Sequence, residues 1–112
     1  MEEFDILIAK VPFENSEDYK WRPVFILSVN GKAIKFLRIT TKYDTKSDYI
    51  KNKYFEIIDY IEAGLNRQFW IDTFKAYQLN DENFKIHVLG KLTERDFERF
   101  ITFLSDTDFL LN

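Results

Sequence analysis

The sequence has no cysteine, one histidine, two prolines and three glycines in 112 residues. Without cysteine there is no disulfide and no thiolate metal site, a usage that fits a reducing compartment. The single histidine, His87, sits in "FKIHVLG", where strand alternation turns it away from Ile86 and Val88. It reads as a partly exposed structural residue rather than a catalytic one. With no second histidine near it, and with Glu2, Glu3, Glu17 and Asp18 lacking ligand spacing, no metal or other cofactor is expected. Scarce proline and glycine, no low-complexity tract and no repeat leave no linker, so one domain spanning 1–112 is expected. No apolar run approaches the ~20 residues of a membrane span, and the opening "MEEFDILIAK" is acidic where a secretory leader is basic. The expectation is a soluble, cytoplasmic protein.

What is abundant is aromatic: twelve Phe and six Tyr. A chain of this size hides roughly two-thirds of the surface it exposes when unfolded, so these rings can build a core unaided. The net charge of −3 conceals a segregation. Residues 1–18 carry one Lys against six acids, residues 19–53 carry nine Lys and Arg against two acids, and residues 54–112 carry six against eleven. The basic middle is either a solvated face or a surface for a polyanion.

Short runs rich in β-formers recur along the chain. "FDILIAKVPF" (4–13) reads as a buried strand ended by Pro12, and the acidic "ENSEDYK" (14–20) as a loop. "RPVFILSV" and "AIKFLRITTK" read as a hairpin around Asn30 and Gly31. After the loop "YDTKSDYIKNK" come the strand "YFEII" (54–58) and a short turn that Asp59 can cap and Gly64 can end. "RQFWIDTFKAYQL" (67–79) looks like a long or bent strand, "NDEN" (80–83) a turn, and "FKIHVLGKL" a further strand. Thr93 and Asp96 resemble a capping box, and Phe97, Phe100, Ile101 and Leu104 follow at helical spacing, so a helix over about 93–105 closes one side. Many short strands followed by one helix predict a mainly β (α+β) fold, a small barrel or sandwich with a C-terminal helix.

The hairpin admits two registers. A two-residue loop of Asn30 and Gly31 sets Val29 against Lys32 and leaves both faces mixed. A three-residue loop sets Val29 against Ala33 and sorts them better. One face then carries Pro23, Phe25, Leu27 and Val29, and the other carries Arg22, Val24, Ile26 and Ser28 opposite Thr40, Arg38, Phe36 and Ile34. In this register Arg22 lies across from Thr40, with Cβ atoms about 5 Å apart. A guanidinium beside a hydroxyl on a concave face suits a phosphate; a structural arginine with its head in water is the plainer alternative.

The sequence resembles the MazF/PemK family of toxins from bacterial toxin–antitoxin pairs. The resemblance rests on four pieces in order: "FDILIAKVPFENSEDYKWRPVFILS", "LRITT", "IEAGLNRQFWID" and "LGKLTERD". It implies an SH3-like antiparallel β-barrel with a C-terminal helix, a homodimer, and a metal-independent endoribonuclease that cuts single-stranded messenger RNA and is restrained by a cognate antitoxin protein. It also implies that Arg22 and Thr40 are catalytic, with Lys20, Trp21, Ser28, Arg38 and Lys42 as candidate substrate contacts. Phe4 stands where the family usually has glycine, the acidic 14–20 loop lacks the family's glycine, and Asp72 is the polar residue nearest the place where members carry one. A non-catalytic barrel that binds protein, as a gyrase-inhibitor-like relative does, is the alternative.

Overall fold

The computed structural model describes residues 1–11, 20–80, 82 and 85–107. Six strands, β1 (Asp5–Val11), β2 (Lys20–Asn30), β3 (Ala33–Thr40), β4 (Tyr54–Glu56), β5 (Trp70–Asn80) and β6 (Lys85–Lys91), form one sheet in the order β4-β5-β3-β2-β1-β6. All the pairings are antiparallel. One short helix, α1 (Asp48–Lys51), interrupts the stretch expected as loop, capped by the Ser47 hydroxyl. A longer helix, α2 (Glu94–Asp106), ends the described chain. The expected strand after Tyr54 is shorter than "YFEII", the bent strand at 67–79 is β5, and residues 14–19 of the acidic loop and residues 81 and 83 of the "NDEN" turn lie outside the described residues.

The sheet is curled. β5 and β6 are four strand spacings apart in the sheet order, about 19 Å if it were flat. Residues 81–84 alone join them, and five Cα links reach at most about 18 Å. Accordingly Tyr77 and Leu79 of β5 and Ile86 of β6 pack on the same cluster, made by Leu7, Ala9, Val24, Ile26, Ile34 and Phe36. The opposite face carries the larger core, where Phe25, Leu27, Leu37, Ile39 and Ile71 meet Phe100 and Leu104 of α2. The architecture is a mainly β antiparallel sheet with a C-terminal helix, compatible with a small barrel-like fold.

The hairpin register differs from expectation at one end. From Ile26 outward the pairs are Ile26 with Phe36, Phe25 with Leu37 and Val24 with Arg38, as the three-residue loop requires. At the turn, however, Asn30 pairs with Ala33 and Val29 with Ile34, leaving a two-residue loop of Gly31 and Lys32. Gly31 has φ of 62°, as the first central position of a II′ hairpin turn demands. The extra residue lies inside β2 as a bulge between Ile26 and Ser28, which moves Val29 to the smaller cluster.

Phe4 keeps the backbone that a glycine would favour, with φ of 68°. Its N–H donates to the Ile26 carbonyl at 2.7 Å, and its ring lies 5.9 Å from Phe25 and 5.1 Å from Phe97. Aromatic packing and one backbone bond thus offset the strain of a non-glycine residue there.

The helix is anchored by exchanged carboxylates. Thr93 caps α2 by accepting from the Asp96 N–H at 3.3 Å. The Asp96 carboxylate does not return to Thr93; fully buried, it accepts from the Asp59 N–H at 2.7 Å and from Arg99 at 2.6 Å. Asp59 in turn accepts from the Thr93 hydroxyl at 2.6 Å and from Arg95, so its side chain caps no turn of its own. Of the expected apolar face, Phe100 and Leu104 are buried, Phe97 packs at the margin as does Phe103 outside that face, and Ile101 is 41% exposed.

The hydrogen bonds from Arg95 and then Thr93 hold the Asp59 carboxyl below its ordinary value of 3.8. A carboxyl depressed in the folded state stabilises the fold above its unfolded value, and that contribution disappears as pH falls through the folded one. Acid unfolding of Asp59→Asn should therefore show a shallower loss of stability below about pH 4 than the parent protein. Superimposable acid limbs would show that this anchor does not govern acid stability.

Candidate functional site

Arg22, Arg38 and Thr40 project from one face of the sheet. Arg22 pairs with Ala9 of β1, and Arg38 pairs with Val24; Ala9 and Val24 both belong to the smaller cluster, and cross-strand partners share a face. Thr40 lies two residues beyond Arg38 and follows it by alternation. The β2–β3 ladder ends at Val24 and Arg38, so Arg22 is held by β1 while Thr40 is held by β5, opposite Trp70. Arg22 and Thr40 thus leave adjacent strands on the same side, just past the last ladder pair. They are not themselves a ladder pair as the sequence suggested.

Arg22 and Lys20 are exposed and, by alternation, on that face. The Thr40 hydroxyl oxygen accepts from the Lys42 N–H at 3.0 Å. This contact holds Oγ1 in place and leaves its proton available to a ligand. Trp21 is different: it leaves the opposite face, 46% exposed, with its ring 5.7 Å from that of His87. Ser28 is also apart, beyond the bulge, opposite Lys35 and about 20 Å along β2 from Arg22. The fold therefore brings Lys20, Arg22, Arg38, Thr40 and Lys42 to one end of the sheet and leaves Trp21 and Ser28 out.

A second irregularity lies beside Arg38. Leu37 pairs with Ala76 and Ile39 with Ile71, so the four residues Asp72–Lys75 of β5 stand opposite one residue of β3. Thr73 pins this bulge, its N–H and hydroxyl donating to the Lys53 carbonyl at 2.9 and 2.5 Å. The excursion brings Asp72, 6% exposed, within 3.0 Å of the Arg38 guanidinium, while its other oxygen accepts from the Phe74 N–H at 2.8 Å. Burial works against the Arg38 charge, but the hydrogen bond and the charge of Asp72 outweigh it and raise its pKa. Burial, with the negative charge of Asp72, also raises that of Tyr54. Arg38 Nε is buried with no hydrogen-bond partner. A cleft of about 350 Å³ opens here, lined by Arg38, Asp72 and Tyr54 together with Lys46, Phe74 and Tyr77.

No protein-family model matches this chain, and no curated protein matches it. The site is therefore read from its own chemistry.

A larger groove of about 700 Å³ runs between α2 and β4. Its cations are already engaged, Arg99 by Asp96 and the Glu56 carbonyl, Arg95 by Asp59. Among the described residues no group of three or more His, Cys, Asp or Glu side chains is placed to hold a metal, and no helix is long and apolar enough to cross a membrane. In the sequence Asp72 stands out as an acid inside an apolar run, near the place where the resemblance puts a polar residue. The bulge that turns it toward Arg38 left no signal beyond that.

Proposed function

We propose that this protein is a metal-independent endoribonuclease of the MazF/PemK toxin type, an SH3-like barrel that acts on single-stranded messenger RNA in the cytoplasm as a homodimer. The observation that carries the reading is the gathering of Arg22, Arg38 and Thr40 on one face of β2 and β3, within the segment that holds most of the basic charge. In this reading the ribose 2′-hydroxyl gives its proton to water as its oxygen attacks the adjacent phosphorus; a P–O bond forms there, the bond to the 5′-oxygen breaks, and that oxygen takes up a proton and departs, leaving a 2′,3′-cyclic phosphate. Charge accumulates on the non-bridging oxygens, where preorganised donors contribute most. Arg22 supplies two parallel N–H groups and positive charge; it is a poor base, and its help to proton transfer is limited to the departing oxygen. Thr40, oriented by Lys42, donates to a phosphoryl oxygen. A cognate antitoxin would act by covering this face.

The alternative is a barrel that binds protein without catalysis. It is favoured by the commitment of Arg38 to Asp72, which removes one cation from the polyanion surface. Purified protein incubated with varied single-stranded RNAs in EDTA separates the two. The nuclease yields fragments ending in 2′,3′-cyclic phosphate; intact RNA across all sequences would leave the binding reading.

A further inference from the structure

We infer that the cleft beneath the β5 bulge is a nucleobase subsite, in which Arg38 and Asp72 read the edge of a base next to the phosphate held at Arg22 and Thr40. This inference rests on the ribonuclease reading and names how that site would select its sequence.

The bulge is costly in a way that a merely structural device would not require. Four residues of β5 face one residue of β3, and the arrangement buries the carboxylate of an ion pair whose arginine is 34% exposed, and leaves Arg38 Nε unpaired. Replacing such pairs by apolar residues is often neutral or stabilising, so fold stability alone gives no reason for one here. Bulges that re-aim side chains are over-represented beside functional sites, and a buried donor without a partner calls for a ligand or another explanation.

The contents of the cleft suit a base. Arg38 presents donors and Asp72 an acceptor side by side, 3.0 Å apart. A carboxylate has about four lone-pair sites; Asp72 shares its oxygens among Arg38, the Phe74 N–H and the Tyr54 hydroxyl, which leaves about one for a base. A donor beside an acceptor is what the hydrogen-bonding edge of a nucleobase offers in return. Tyr54, Tyr77 and the half-exposed Phe74 supply apolar and aromatic walls, and base–aromatic stacking is the common means of holding single strands. Lys46 and Lys75 line the same cleft and favour a polyanion's approach. Position agrees as well: Arg38 is one pleat repeat from Thr40 on the same strand and face, about 7 Å. A strand of RNA whose phosphate sits at Thr40 has its neighbouring base within reach.

The test compares wild type, Asp72→Asn and Phe74→Ala on a randomised single-stranded RNA pool, with the cut ends sequenced. In parallel, the affinity for a fluorescent DNA oligonucleotide of the preferred sequence, which lacks the attacking 2′-hydroxyl, is measured by anisotropy. Asp72→Asn should relax or change the preference at one position beside the cut and leave the other positions alone. Phe74→Ala, which alters a half-exposed ring and keeps the test valid if the Asn variant misfolds, should weaken oligonucleotide binding about tenfold. Wild-type motif and wild-type affinity in the folded variants would overturn the subsite while leaving the ribonuclease standing. A wild-type protein that neither cuts nor binds single strands would overturn both.

Discussion

Arg22→Ala and Thr40→Ala will each lower RNA cleavage by at least about a hundredfold, the usual cost of removing one preorganised donor to a developing oxyanion. Neither change should unfold the protein. Arg22 is exposed and Thr40 lies at the end of β3 outside both core clusters, and substitutions at such positions usually stay within about 0.5 kcal/mol. Thr40→Ser keeps the hydroxyl and should recover most of the rate. Single-turnover cleavage in EDTA, set beside thermal unfolding of the same preparations, checks both statements. Full cleavage by both alanine variants would remove these residues from the reaction; loss of activity together with loss of fold would make their role structural.

Phe100→Ala will strongly destabilise the protein. Phe100 is fully buried, its ring 4.9 Å from Phe25 on β2 and 5.2 Å from Phe55 on β4 in edge-to-face contacts. Through it α2 touches both the middle and the edge of the sheet. Truncating a buried phenylalanine costs about 3–5 kcal/mol, since the lost transfer free energy is joined by a cavity that close-packed neighbours fill only partly. For a domain of this size the unfolding midpoint should fall by more than about 10 °C. Ile101→Ala is the control, because Ile101 stands on the same sequence-predicted face yet is 41% exposed. Its midpoint should move by no more than a few degrees. Equal losses for the two variants would mean that the helix packs differently from the arrangement described here.

The contrast between Phe100 and Ile101 shows how far periodicity carries. Spacing of three and four places both on one stripe, but a stripe is wider than the line of contact with a curved sheet. Which residue fills the core depends on the rotation of α2, and that is set by the bonds of Thr93 and Asp96 to Asp59, in a turn more than 30 residues earlier in the chain. The hairpin teaches the same lesson more locally. Alternation sorted Phe25 and Leu37 from Val24 and Phe36 correctly, because a side-chain period of two survives any even displacement. It misplaced Val29, because the extra residue sits in the strand rather than the loop, and a single extra residue reverses every side chain after it.

For the candidate site the division is similar. Arg22, Arg38 and Thr40 share a face because they are spaced evenly along two strands joined by a tight turn, a relation that short-range pattern carries. Trp21 and Ser28 are excluded by equally local causes, an odd position in one case and the bulge in the other. Asp72 required more, since nothing in "FWIDTF" says that four residues of β5 bow out opposite Arg38.

By itself the sequence determined the strands, the terminal helix, the segregation of basic charge and the face on which the two arginines and Thr40 stand, all of which follow from backbone periodicity and capping over a few residues. Only the tertiary structure decided where the ladders slip, how the sheet curls so that β5 and β6 cover one cluster, and which carboxylate meets Arg38. Those outcomes are set by contacts between distant segments, where packing and the pairing of buried charge choose among registers that local preference leaves nearly equal.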